Sequence, residues 1–476
     1  MKNTLLAAMQ TKDSITENGC VTNSTSLNNC VDLFFQIGAM RGQDKQRLIN
    51  SFTKAFVENP LTAMRLLFWA RDVRGGAGER QIFKDIISYL ATNRTEAISK
   101  NMYLISEFGR WDDLLVFFGT PLENQALNLI SDALKSGNKL VGKWLPRPSG
   151  KNIMGRLQAN ILRKHLGLSP KNYRKLLVEN SNTVEQLMCA KDWDKIEYSK
   201  LPSKAMSNLM KAFSKNDLSR FQEYLASLEK GEVKINTGAV YPYDIIKNLK
   251  QGNEKGANLQ WDALPNYMEG NYEILLPMVD VSGSMSQCIA NNPNLNVMDI
   301  AISLGLYISE RNIGKFKDAF ITFTSDPTLQ VLSGSLNDRY RQIKGPVGYD
   351  TNIEKAFTML LSKAVEFNVS ESEMPTMILM LSDMEFNESS IRKFTAQEMI
   401  EDHYIKAGYK MPKLVYWNLA CRSDSNKPVQ FDKSGTALVS GFSTSLLTNL
   451  LGGKDMTPYS MMMSVIDSDR YQVITI

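Results

Sequence analysis

The twelve residues Ile274-Leu-Leu-Pro-Met-Val-Asp-Val-Ser-Gly-Ser-Met285 constrain this chain more than any others. An apolar run stops on a carboxylate and hydroxyls follow at alternate positions, so that Asp280, Ser282 and Ser284 form D-x-S-x-S. A short, continuous aliphatic run of this kind is the pattern of a strand buried on both faces of a parallel sheet. Such a strand needs sister strands beside it and helices over both faces. Only oxygen donors stand at its end, with no thiolate or imidazole, which points to a hard divalent cation. Taken alone, D-x-S-x-S is also the pattern of an Asx or helix-capping turn.

A hard cation draws ligands from more than one loop, so further oxygen donors are expected at later strand ends. Gly348-Tyr-Asp-Thr-Asn352 supplies Thr351 ahead of a helical stretch at 353–367. Met377-Ile-Leu-Met-Leu-Ser-Asp383 is a second apolar run that ends on a carboxylate, Asp383. The ordered set Asp280, Ser282, Ser284, Thr351 and Asp383 is the candidate metal site. Its low charge favours Mg²⁺ with retained waters, with Mn²⁺ or Ca²⁺ as the other choices. The neighbouring Glu385 and Asp350 read as solvated loop acids. Strands are expected at 272–279, 318–324, 329–333, 376–382, 413–419, 436–440 and 471–475. Helices are expected near 297–312, 352–367, 387–408, 443–452 and 457–467. This alternation gives a doubly wound, mostly parallel, Rossmann-like sheet over 271–476, whose ligands gather at the carboxyl ends of its strands.

The chain before residue 260 has a different period. Apolar residues recur every three or four positions in 31–40, 62–71, 80–90, 102–118, 123–135, 153–166, 170–178, 203–213 and 218–229, without intervening strands. That pattern predicts an α-solenoid of HEAT-like helices over 1–260, with the boundary in the polar stretch 250–271. At 476 residues the chain has ample length for two domains. Arg71-Asp-Val-Arg-Gly-Gly-Ala-Gly-Glu-Arg80 lacks the G-K-[ST] of a phosphate loop and reads as a turn between helices. Gly109-Arg-Trp-Asp-Asp113 reads as a helix cap.

The net charge of +5 conceals an asymmetry: residues 1–270 carry 37 basic and 27 acidic side chains, and residues 271–476 carry 18 and 23. Between Ala133 and Val178 there are eleven cations and no acid: Lys135, Lys139, Lys143, Arg147, Lys151, Arg156, Arg163, Lys164, Lys171, Arg174 and Lys175. Such a segment suits a nucleic-acid backbone, whose counterions are released on pairing with phosphate. The interleaved Trp144, His165 and Tyr173 offer stacking to single-stranded bases. A solvated face balanced by acids elsewhere in the fold is the competing reading. Five scattered cysteines without C-x-x-C indicate reduced thiols. No apolar run approaches the length of a membrane span, and the amino terminus is too weakly apolar for a signal peptide. These features place the protein in a cytoplasm. Neither histidine, His165 nor His403, lies in a catalytic motif, and the serines are not in a nucleophile elbow, so catalysis is not expected.

With both halves read, the chain resembles the Ro ribonucleoprotein architecture, a TROVE helical domain joined to a von Willebrand factor A domain. It is more similar still to a branch of that family known as a domain of unknown function in plants, bacteria and phages. The residues that carry the match include Arg71–Arg80, Trp144-Leu-Pro-Arg147, Ser169-Pro-Lys-Asn-Tyr-Arg-Lys-Leu-Leu177, Glu185-Gln-Leu-Met-Cys-Ala-Lys191, Ile235-Asn-Thr-Gly-Ala-Val-Tyr-Pro242 and Leu438-Val-Ser-Gly-Phe-Ser443. The resemblance implies that the oxygen set is a metal-ion-dependent adhesion site, in which the hydroxyls bind directly and the aspartates mostly through water. One position would stay open to an acidic protein partner. It also implies that the helical surface holds small structured RNAs or single-stranded RNA ends, and that the cytoplasm is a host's if the gene is a phage's. Two functions follow as expectations. One is a non-catalytic RNA-binding scaffold whose metal organises the domain interface or an acidic partner. The other is a metal-dependent protein–protein interaction module that binds no RNA.

Overall fold

The computed structural model describes residues 11–181, 183–233, 237, 240–323, 326–343, 350–390, 393–452 and 456–476. Residue 324 of one expected strand, residues 348 and 349 ahead of Thr351, and most of the Ile235–Ala239 stretch lie outside the described residues. The chain divides into two compact units. One holds the described residues of Met1–Leu66, Gly75–Ala77 and Val240–Gln472, and the other holds Leu67–Arg74, Gly78–Ala239 and Val473–Ile476. This division cuts across the linear one expected at 250–271.

The first unit is built on six strands: β3 (Leu275–Asp280), β4 (Ala319–Phe323), β5 (Thr328–Val331), β6 (Met377–Ser382), β7 (Lys413–Asn418) and β8 (Thr436–Ser440). A separate two-stranded ladder pairs β1 (Ser14–Ile15) with β2 (Val21–Thr22). The order across the sheet is β5-β4-β3-β6-β7-β8. All pairs are parallel except β4 with β5. Every residue of β3 and β6 is buried, as continuous Leu/Met/Val/Ile runs require when helices cover both faces. The chain leaves β3 toward β4 on one side and returns to β6 on the other, so the crevice between the carboxyl ends of β3 and β6 is a topological switch point.

Two stretches that the sequence left outside the sheet domain pack into this unit. Helix Asn29–Ile37 ends against β8, where Ser440 Oγ donates to Phe34 O at 2.6 Å and accepts from Gly38 N at 3.0 Å. A Cβ at Gly38 would lie 2.6 Å from Ser440 O, so only glycine allows this approach. The polar stretch after 250, expected to hold the domain boundary, is helical over Glu254–Asp262. It docks on helix Val297–Arg311, with Trp261 Nε1 donating to Glu310 at 2.9 Å and Arg311 donating to Trp261 O at 3.0 Å. Residues 471–475 do not form the expected strand. Asp469–Gln472 is helical, and Thr475 N donates to Asn101 Oδ1 at 3.0 Å while Asn101 Nδ2 donates to Thr475 O at 2.7 Å.

The second unit is helical. Its longer helices are Arg80–Asn93, Glu123–Lys135, Ile153–His165, Pro170–Glu179, Ser203–Asn216 and Leu218–Glu229. The expected helix at 102–118 is instead three short pieces, Met102–Leu104, Ile105–Phe108 and Trp111–Phe117, interrupted at Gly109. A Cβ there would sit 2.5 Å from Asp113 Oδ2 and 2.9 Å from Arg71 Nε, so the break makes room for a buried ion pair. Tyr198, Phe213 and Phe221 form the centre of a core at its carboxyl-terminal end, with ring centroids 5.1–5.6 Å apart. No helix among the described residues is long and apolar enough to cross a membrane.

Candidate functional site

Asp280 is the last residue of β3 and is fully buried. Its carboxylate accepts from Ser282 N at 2.9 Å and from Ser382 Oγ at 2.6 Å. Burial, and next the charge of Asp383, push its pKa well above the usual carboxylate range. Ser282 and Ser284 follow on a short 3₁₀ turn with their hydroxyl oxygens 3.0 Å apart. Asp383 is buried just past β6. Thr351, also buried, is tied to the loop after β6: its amide donates to Asn387 Oδ1 and its carbonyl accepts from Asn387 N, both at 3.1 Å. Asp280, Ser282, Ser284 and Asp383 therefore stand at the carboxyl ends of β3 and β6, and Thr351 is tied to the loop that follows β6.

The structure adds three residues that the sequence did not reveal. Ser382 donates to Asp280 and accepts from Met384 N at 3.0 Å, holding the turn that carries Asp383. Met384 sits at φ +66°, a left-handed conformation costly for a side chain with a Cβ. Arg422, following β7, places Nη1 3.5 Å from Asp383 Oδ2 and Nη2 2.9 Å from Glu17 Oε2. Glu385 corrects an expectation, because it is buried rather than solvated. It accepts from Glu17 N at 2.7 Å and from Asn426 Nδ2 at 3.4 Å, and burial raises its pKa. Its partners lie 368 and 41 residues away, so no local pattern could have found them. Asp350 is exposed.

Among the described residues, no three carboxylate, imidazole or thiol groups come together to hold a metal. A cation at this place would depend on hydroxyl oxygens and water beside two carboxylates. The donor chemistry fits a hard ion. Burial first, and next the charge of Asp383, disfavour the ionised form of Asp280, and a divalent cation beside it would offset both.

The acid-free segment folds into helices Lys139–Trp144, Ile153–His165 and Pro170–Glu179 and the turns between them. Arg147 and Arg163 are half-buried; Lys135, Lys139, Lys143, Lys151, Arg156, Lys164, Lys171, Arg174 and Lys175 are exposed. Among the described residues only Lys175 of this set meets a carboxylate, that of Glu179 on its own helix at 3.8 Å. Helix caps come from Asn138, Asn152 and Ser169, so capping demands no acid. Tyr173 is fully buried and donates to Pro146 O at 3.2 Å, which removes it as a stacking surface. Trp144 is half-buried beneath the Arg110 guanidinium, 3.8 Å from the ring centre. His165 is exposed.

Asp112 and Asp113, expected to cap a helix, also anchor an ion-pair network. Asp113 is inaccessible to solvent and pairs with Arg71 at 2.7 Å, with Lys84 at 3.3 Å and Arg80 at 3.6 Å from its other oxygen. The Arg110 amide donates to it at 3.0 Å, which is the capping role.

Two family models match the chain. One, described as Domain of unknown function (DUF2828), matches residues 16–141 and 147–273; the other, Domain of unknown function (DUF7788), matches residues 275–471. The chain is 29% identical to Uncharacterized protein L728 of Acanthamoeba polyphaga mimivirus, over 95% of this chain and 87% of that protein. A solved structure, the RO (RSR) protein of Deinococcus radiodurans, aligns over 93% of this chain and all of its own, at 12% identity and a TM-score of 0.49.

Proposed function

We propose that this chain, which belongs to the DUF2828 family whose model matches more than half of its residues, is a non-catalytic RNA-binding scaffold of Ro type. The observation that carries this reading is the basic segment: eleven cations, no acid between them, and one carboxylate contact among the described residues. A solvated face of a helical protein normally carries both signs, because opposite charges three or four residues apart stabilise helices. Exposed cations with so few carboxylate partners suit a phosphate backbone. Ile153, Met154 and Leu157 lie exposed on the same helix as Arg156 and Lys164. They would give unstacked bases an apolar surface, in keeping with a single-stranded ligand.

In the sheet unit, Asp280, Ser282, Ser284, Thr351 and Asp383 would hold Mg²⁺, or Mn²⁺ or Ca²⁺ in its place. The ion would supply positive charge beside two buried carboxylates and fix the three loops that carry them. The non-catalytic part of the proposal draws on the sequence, where neither His165 nor His403 lies in a catalytic motif. Protein purified at low salt should carry ribonuclease-sensitive nucleic acid, whose sequencing would identify the ligand. Protein that carries none, and that fails to shift a single-stranded oligoribonucleotide at micromolar concentration, would sink the reading.

A further inference from the structure

A second concentration of charge in the helical unit lies outside the acid-free segment. Arg71, Arg80, Lys84 and Arg110 converge on Asp112 and Asp113, so four cations face two carboxylates and two positive charges remain in excess. Asp113 forms the inner floor. Asp112 forms an outer rim, where it accepts from Arg80 Nη2, lies 3.5 Å from Lys84 Nζ, and accepts from Arg110 Nε at 3.1 Å and Nη2 at 3.3 Å. Arg80 keeps 44% of its side chain exposed and Arg110 keeps 25%. Each guanidinium has five N–H donors, and among the described residues neither Arg80 Nη1 nor Arg110 Nη1 has an acceptor. Burial lowers the pKa of Arg110, an indication that its charge is held at the expense of hydration.

A structural ion-pair network reaches its best energy near neutrality, because each unmatched buried charge costs several kcal/mol. An excess of two charges with two guanidinium nitrogens lacking an acceptor among the described residues instead suits an anion of matching charge. A phosphodiester carries one negative charge, whereas a phosphate monoester carries about 1.5 to 2 at neutral pH. The dianion is the better match. Trp144 joins this cluster to the basic segment, since Arg110 lies over its ring at 3.8 Å and Lys143 approaches the same ring at 5.2 Å.

We infer that Arg80, Lys84 and Arg110 form a binding site for the terminal phosphate of a single-stranded RNA, with Trp144 fixing Arg110 in place. The inference rests on the RNA-binding reading and names the end of the strand that the helical unit grips. Three oligoribonucleotides of one sequence, bearing a 5′-phosphate, a 3′-phosphate or hydroxyls at both ends, separate the two. One phosphorylated strand should bind the wild-type protein about tenfold tighter than the hydroxyl strand, the effect of one charge-assisted hydrogen bond. The end that gains identifies the source of the phosphate. Arg80→Gln, at the most exposed member of the cluster, should abolish that preference while leaving affinity for the hydroxyl strand within a factor of two or so. Lys84→Gln should reduce it in part. Equal binding of all three strands by the wild-type protein would overturn the terminal-phosphate site and leave the RNA reading intact. Binding of none would overturn both.

Discussion

At the carboxyl end of the sheet, Asp280 and Asp383 are buried together, with one arginine 3.5 Å from Asp383. On the helical unit, the cations between 135 and 175 stand mostly in water, with one carboxylate contact among the described residues. Both regions leave charge unbalanced, with opposite sign and in opposite environments. Buried negative charge raises pKa values, and its natural complement is a small cation. Exposed positive charge costs little to maintain, and its natural complement is a polyanion. The same chain thus holds a buried concentration of negative charge and an exposed one of positive charge.

The largest effect is expected at Asp113. Asp113→Ala leaves Arg71 buried without its partner and should cost about 3–5 kcal/mol, measured as a lower urea midpoint. A loss below about 1 kcal/mol would show that water reaches the pair and that the helical unit buries no charge of consequence. For the sheet unit, Mg²⁺ at 100 times its dissociation constant should raise unfolding stability by about 2.7 kcal/mol. Asp383→Asn should lose that gain, as read by calorimetry with and without the ion. A wild-type transition indifferent to Mg²⁺, Mn²⁺ and Ca²⁺ would sink the metal site.

Tyr173→Phe tests whether this aromatic belongs to the core or to the ligand surface. Removing the hydroxyl that donates to Pro146 O should cost about 1 kcal/mol and leave RNA affinity unchanged. A selective loss of affinity would return Tyr173 to the binding face. The smallest effect is expected at Glu273, where burial raises the pKa but hydrogen bonds from Lys413, at 2.7 Å, and Thr376 outweigh it, so the net shift is downward. A folded pKa below the unfolded one contributes stability above the unfolded value, and that contribution fades as pH falls through the folded value. Glu273→Gln should therefore flatten the acid limb of the stability profile and change little below it. An unaltered limb would show that the Lys413 contact is solvent-screened.

What could be read from the chain followed the range of the interactions. Strands β3 and β6 and the aspartates at their ends were legible because burial on both faces writes a continuous aliphatic run into the sequence. The helices at 80–93, 123–135 and 153–165 announced themselves by period. Tyr173 could have been placed inward, since Leu177 lies one turn away on the same buried face. Ser382 stood beside a candidate ligand but reads as one more strand residue. Glu385, Arg422 and the end of the chain were not legible. Glu385 is held by Glu17, Arg422 bridges Asp383 to Glu17, and Thr475 pairs with Asn101 across 374 residues. The alternating Val473-Ile-Thr-Ile476 has strand composition, but the pairing with Asn101 gives it a different place.

If the acid-free face binds RNA through phosphates, affinity must depend steeply on salt. For a single strand, log affinity should fall against log salt with a slope of about −0.7 per phosphate neutralised. Changing Arg163, Lys164, Arg174 and Lys175 together to glutamate should weaken binding by more than tenfold and make the slope shallower by about 3. Affinity that ignores salt, or a variant that binds with the wild-type slope, would contradict the account.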